Sequence, residues 1–284
     1  VNKPTVGFVY NLEGENRMRR IPFVLFALVL SLGLNARADD WSKTFPVTGL
    51  PDLRISTADG NVQVQPWDQN SVEIRINTQN LKIGPDGLQI TAQQDGNRIS
   101  LEAREHSGFS IHISFRQRTD ITIHVPIKTN LTVSTGDGRI RVAGVTGDLD
   151  LHSGDGSQDV DSVGGSLRAK AGDGSIHVRG RFDQLDIQTG DGRIDATILP
   201  GSRVTSSWTL HTGDGRLSLD LPRDLAATLD LHTSDGSISL DVPIAVTGQV
   251  GGKSIRGNLN GGGGLMTVHT GDGSIRVGRS LATL

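Results

Sequence analysis

The stretch Leu131-Thr-Val-Ser-Thr-Gly-Asp-Gly-Arg-Ile-Arg-Val142 carries the fold in miniature. Apolar and polar residues alternate on both sides of a Gly-Asp-Gly turn, so each arm reads as a short strand with one buried face. The pattern returns at 149–160, 167–178 and 185–196, where the Asp-Gly pairs begin at 137, 155, 173 and 191, a constant step of 18. Further copies centre on Asp59, Asp214, Asp235 and Asp272. The residues six and four before each Asp, and three and five after it, are apolar, with Gln158 the exception.

Such self-similarity marks a repeat architecture. Coils stacked about 4.8 Å apart set like residues on like residues, which explains one template recurring in register. Asp-Gly between alternating strands is also the strongest short hairpin signal, and a meander of hairpins stays open at this stage. The constant step favours an all-β solenoid, parallel β-helix-like, of roughly 18-residue coils. Gly251-Gly252-Lys253-Ser254-Ile255 matches Gly271-Asp272-Gly273-Ser274-Ile275 and reads as a degenerate further coil. Nine coils would make a rod of about 40 Å. Residues 65–125 break the register. There, 87–92 and 98–103 flank Asp95-Gly96-Asn97 as a true hairpin, in an irregular region that caps the regular coils of 126–279.

The N-terminus has another character. Met18-Arg19-Arg20 precedes an uncharged run, 21–34, and then Ala36-Arg37-Ala38. A basic start, a short apolar run and an A-x-A site form the layout of a secretory signal peptide. The expectation is therefore a signal at 18–38 cleaved after Ala38, an upstream extension at 1–17 outside the mature protein, and one β-repeat domain at 39–284. The run is short for a spanning helix. Export places the protein in the periplasm, at the cell surface or outside the cell, away from cytosolic nucleotides.

Composition narrows the chemistry. The 284 residues are 35% hydrophobic but only 4% aromatic, and 37 are Gly, without a collagen triplet. Turn punctuation accounts for the glycines. A formal net charge of -3 gives no basic field for nucleic acid. Without cysteine the chain has no disulfide, thiolate metal site or thiol nucleophile.

Several side-chain rows follow from the repeat. The aligned aspartates would stack carboxylates, and two charges 4.8 Å apart repel by about 0.9 kcal/mol in water and roughly 3.5 at a dielectric of 20. Hydrogen bonds from each turn's own amides, Gly supplying φ > 0, would relieve this, with Arg139, Arg193 and Arg216 adding countercharge. The alternative is calcium between coils, as in roll repeats of nine residues, for which Asp137, Asp155, Asp173 and Asp191 are the candidates. The opposite turns lack a matching acidic pattern. His152, His211, His232 and His269 share an outward position three before the Asp, with His211 and His232 expected to be neighbours. Two neutral imidazoles can hold a transition metal, but solvated surface histidines are the simpler reading. The Thr and Ser residues two before the Asp read as a structural hydroxyl ladder. Thr247-Gly-Gln-Val-Gly-Gly-Lys-Ser254 misses a phosphate loop by its first Gly and its helix. Trp208 fills a Leu slot in the core, and Trp67, beside Pro66, reads as edge cover.

The stretch Asp120-Ile-Thr-Ile-His-Val-Pro-Ile-Lys-Thr-Asn-Leu-Thr-Val-Ser-Thr-Gly-Asp-Gly-Arg-Ile-Arg-Val142 resembles the bacterial family called putative adhesins. Ser254-Ile-Arg-Gly-Asn-Leu-Asn-Gly-Gly-Gly-Gly264 and Thr270-Gly-Asp-Gly-Ser-Ile-Arg-Val277 are similar to it as well, so the resemblance spans about 45–279. It implies an exported, non-catalytic β-strand-repeat protein with an adhesive or structural role in the cell envelope or at the surface. It supplies no catalytic residue and no cofactor. The partner would be an envelope component, glycan or protein, not nucleic acid or nucleotide, and the solenoid ends would permit oligomers. The competing reading is a β-helix polysaccharide-active enzyme or a calcium-binding roll. An enzyme needs acid and base clustered in a cleft, whereas here the acids follow the repeat period and Glu is scarce outside Glu102 and Glu105.

Overall fold

A computed structural model describes residues 38–105, 117–246 and 252–280. The upstream extension and almost all of the expected signal lie outside these residues, as does most of the near phosphate loop. The described residues form 21 strands and no helix. In chain order these are β1 (Ala38–Pro46), β2 (Asp52–Thr57), β3 (Asn61–Trp67), β4 (Ser71–Gln79), β5 (Leu88–Asp95), β6 (Arg98–Glu105) and β7 (Arg118–Pro126). Then come β8 (Asn130–Thr135), β9 (Ile140–Ala143), β10 (Thr146–Ser153), β11 (Gln158–Ala171), β12 (Ile176–Thr189), β13 (Ile194–Ile198), β14 (Trp208–Thr212) and β15 (Leu217–Leu221). The last are β16 (Ala227–Thr233), β17 (Ile238–Leu240), β18 (Ala245–Val246), β19 (Ser254–Leu259), β20 (Leu265–Thr270) and β21 (Ile275–Arg279).

Strands before an Asp-Gly turn build one face and strands after it build the other, so the chain is an all-β solenoid with two sheet faces. β11 and β12 are long enough to bend from one face to the other, through register shifts in their pairing between Asp161 and Val163 and between Gly165 and Ser166. Coil neighbours pair parallel and in register: Leu131↔Leu149↔Leu167↔Leu185 on one face, Ile176↔Ile194↔Leu217↔Ile275 on the other. These residues are at most 3% exposed. The expected inward columns are therefore the core.

The stacking order is not the chain order. Along the first face the strands run β5–β6–β2–β8–β10–β11–β12–β14–β20–β16–β19–β18. Along the second they run β1–β4–β7–β3–β9–β11–β12–β13–β15–β21–β17. The first coil in sequence, β2/β3, is held between β6/β7 and β8/β9. The last, β20/β21, slots between β14/β15 and β16/β17. Nine coils result, but the ninth is β6/β7, not the degenerate segment around Gly252. That segment leads instead into β19, which runs antiparallel along β16. β5 and β6 form the expected hairpin, with Gly96 at φ 57 in its two-residue loop. β6, however, belongs to a coil too, and pairs with β2 in parallel.

Both ends are closed by antiparallel or very short strands: β1 on β4, β5 on β6, β18 on β19, and β17 with three residues. β1, the edge strand at this end, carries Asp39, Asp40, Lys43 and Pro46, residue types that discourage further pairing. Trp41 packs against the core at this end. Trp208 is fully buried in its Leu slot and its Nε1 donates to the Asp183 carbonyl at 3.1 Å. Trp67 stacks on the His124 ring and donates to the Ser71 carbonyl.

Candidate functional site

The stacking sets the eight turn aspartates in one row, ordered Asp59, Asp137, Asp155, Asp173, Asp191, Asp214, Asp272, Asp235. All eight are exposed, which puts their mutual repulsion at the aqueous end of the range above. Asp59 Oδ1 accepts from the Asp137 amide at 3.5 Å, and Asp235 pairs with Lys253 at 3.3 Å. The other six carboxylates have no hydrogen-bond or ion-pair partner among the described residues. The expectation that each Asp binds its own turn is thus corrected. The hydroxyls two residues earlier hold the turns instead, by bonds to the neighbouring coil. Thr189 Oγ1 donates to the Gly174 carbonyl at 2.8 Å, Thr212 to Gly192 at 2.8 Å, Thr270 to Gly215 at 3.0 Å and Thr233 to Gly273 at 2.9 Å. Each bond ties a turn to the coil beneath it. The amides of the turn bond between coils as well, Gly172 to the Gly154 carbonyl at 2.6 Å and Gly271 to Gly213 at 2.6 Å.

The turn glycines need a different explanation from the one their spacing suggests. Gly156, Gly174, Gly192 and Gly215 do not have positive φ. A Cβ on Gly174 would lie 2.2 Å from the Gly156 carbonyl oxygen, and one on Gly215 would lie 1.9 Å from that of Gly192. Only glycine lets the stacked backbones approach this closely.

Two adjacent coils depart from the template and are repaired together. Position 171 is Ala where its neighbours carry a hydroxyl, and position 158 is Gln where they carry Ile. Gln158 is fully buried between Ile140 and Ile176. Its Nε2 donates to Ser153 Oγ at 2.9 Å and to the Lys170 carbonyl at 2.6 Å, in the space the small residues Ser153 and Ala171 leave open. Its Oε1 is buried without a partner.

Charged side chains lie outside and pair across coils, Arg141–Asp159 at 3.4 Å, Arg168–Asp186 at 3.4 Å and Arg179–Asp161 at 3.4 Å, and His177 Nδ1 lies 3.1 Å from the Asp195 carboxylate. Arg139 reaches Asp159 at 3.9 Å and Ser157 rather than a turn Asp. Such exposed pairs are worth about 0–1 kcal/mol each, so they set the pattern of the faces more than their stability. Near the N-terminal end Glu73 sits by His124 at 3.3 Å and Arg75 at 2.9 Å. The Arg75 hydrogen bond holds the Glu73 carboxyl below its ordinary range, against the opposing effect of burial. Open grooves of about 730 Å³ and 700 Å³ run along the two faces, the first past Arg118, Asp120, Arg139 and Arg141, the second past Asp150, Arg168 and Asp186. No three His, Asp or Glu side chains converge on a common metal position among the described residues.

The histidine row is ordered by the intercalated coil. His211 and His232 are not neighbours: His269 lies between them, its ring centroid 5.1 Å from each. His152 stands apart, beside Ser134 and Lys170.

The chain is similar to solved structures of low identity. A putative cell adhesion protein from Clostridium sporogenes shares 13% identity over 86% of this chain and 100% of its own, with a TM-score of 0.42. A putative adhesin from Bacteroides fragilis shares 13% over 84% of this chain and 97% of its own, with a TM-score of 0.31. No curated protein matches significantly. The model of the family described as Toastrack DUF4097 matches residues 129–278, from the first regular coil through the intercalated last one. With more than half of its length matched, this chain belongs to the Toastrack DUF4097 family.

Proposed function

We propose that the protein is an exported, non-catalytic, adhesin-like module of the cell envelope or surface that binds through its flat outer faces. The observation that carries this reading is the distribution of chemistry. Apolar side chains are sealed inside, while acids and bases are spread along the outer faces at the coil period, some paired across coils and others, like six of the turn aspartates, open to solvent. A hydrolase or lyase needs an acid and a base facing one substrate atom in a sheltered cleft. A repeating polar face instead suits a repeating partner, such as a glycan or an extended protein surface, engaged at many weak points. The layout of residues 18–38 supports export. The test is a glycan-array scan of the protein lacking residues 1–38, run beside a hydrolase and lyase screen on the same polysaccharides. Retention without turnover is expected. Release of reducing ends or unsaturated products would overturn the reading.

A further inference from the structure

The last coil brings together three imidazoles that the sequence holds far apart. His211, His269 and His232 occupy the same register on β14, β20 and β16 and face outward. The outer two are at 5.1 Å from the central ring, tilted by 51° and 55°. His269 Nε2 is buried and has no hydrogen-bond partner. An unsatisfied buried acceptor or donor is costly, and this one lies between two rings that could each share a ligand with it.

We propose that this strip binds one divalent first-row transition-metal ion, held by His269 together with either His211 or His232. A metal bound at an imidazole nitrogen about 2.1 Å away lies roughly 3.2 Å from the ring centroid. Two centroids 5.1 Å apart then subtend about 106° at the ion, close to tetrahedral. The outer rings are two strand spacings apart, about 9.6 Å, so they cannot both reach one ion. The site therefore offers two alternative pairs with His269 in common, and water completes the shell. Imidazole pairs select Cu²⁺, Ni²⁺ or Zn²⁺ over calcium, which takes oxygen ligands. Burial first, then the charges of His211 and His232, hold His269 below the ordinary imidazole range, which keeps it in the neutral, ligating form at neutral pH. Asp230, two residues from His232 on the same face, is 4.0 Å from Arg256.

The test is Cu²⁺ titration of the untagged protein, followed by calorimetry and electron paramagnetic resonance, with Zn²⁺ as competitor. The shared-centre arrangement makes a specific forecast. His211→Gln and His232→Gln should each weaken binding only about twofold, the statistical loss of one of two pairs. His269→Gln, or the two outer substitutions together, should weaken it by more than about tenfold, because a chelate becomes a single ligand. His152→Gln should change nothing. The wild-type spectrum should show two bound nitrogens and the His269→Gln spectrum one. The double outer variant keeps the test independent should His269→Gln fail to fold. Unchanged affinity in both weakened variants would overturn the proposal. So would a loss that follows substitution of a histidine outside this strip.

Discussion

Replacing Gly174 by Ala tests the close stacking of turns directly. The added Cβ would lie 2.2 Å from the Gly156 carbonyl oxygen, 2.7 Å from its carbon and 3.1 Å from the Asp155 carbonyl oxygen. All three are backbone atoms, so no side chain can swing aside. Restoring ordinary contact needs a shift of about 1 Å between coils that stack only about 4.8 Å apart. Overpacking of this kind costs about 1–3 kcal/mol. The shift also strains hydroxyl bonds that terminate on the same turns, Ser153 to Gly156 at 2.7 Å and Thr189 to Gly174 at 2.8 Å, worth about 1 kcal/mol apiece. Against this, Ala stiffens the unfolded chain and returns about 0.4–1 kcal/mol. The net expectation is a loss of about 2–3 kcal/mol, or roughly 5–10 °C in Tm for a domain of this size. Urea unfolding followed by far-ultraviolet circular dichroism measures it. Gly252→Ala is the control, since its Cβ would meet nothing within 4 Å. If Gly174→Ala matched the control to within about 0.5 kcal/mol, the close-approach argument would be wrong.

Three further outcomes follow from the same geometry. Leu167→Ala, at a position 2% exposed, should cost about 2–5 kcal/mol, whereas Lys170→Ala on the outer face should shift urea stability by under about 0.5 kcal/mol; equal effects would reverse the assigned faces. Asp173→Asn should be nearly silent, and adding calcium to the metal-free protein should leave Tm unchanged, because that carboxylate is exposed and unpartnered; a large calcium-dependent rise in Tm, abolished by Asp155→Asn with Asp173→Asn, would make the row a metal site. Mass spectrometry of the secreted protein should find Asp39 as its first residue, one position into β1; an intact N-terminus in the membrane fraction would refute soluble export.

Much of this fold is legible because period-two alternation and the Asp-Gly spacing report directly on which side chain is buried. Leu149, Leu167 and Leu185 fall into one column for that reason, as does Trp208 in a Leu slot. The hairpin at Gly96 announces itself through a positive-φ residue between alternating arms. The roles of the turn residues are less legible. Asp, Gly and Thr recur together, so the pattern shows that the turn matters without showing which atom does what. Distances separate them: the Thr hydroxyls reach the neighbouring carbonyls, the glycines permit the approach, and the aspartates face water. Gln158 and Ala171 each look like an unrelated lapse in the sequence. A signal was present in that they lie at facing positions of adjacent coils, where one long polar side chain fills the place of a missing hydroxyl.

Stacking order was hidden for a more basic reason. Every coil presents the same apolar columns above and below, so a coil gains nearly the same burial from any neighbour, and the pattern cannot rank one order over another. The connections do that. Only residues 222–226 separate β15 from β16, yet those coils are two places apart on both faces. β19 then turns antiparallel along β16 and makes that coil terminal, which leaves the chain to return into the gap as β20 and β21. The same logic at the other end places β2/β3 inside β6/β7. Both sequence-terminal coils therefore have a partner on each side, and the edges left over are antiparallel, short or charged. A sequential stack would instead leave two full-length parallel strands open at each end, the kind of edge that templates association. Intercalation also carries His269 between His211 and His232, so the one histidine cluster in the row is a product of the connection order and not of the repeat.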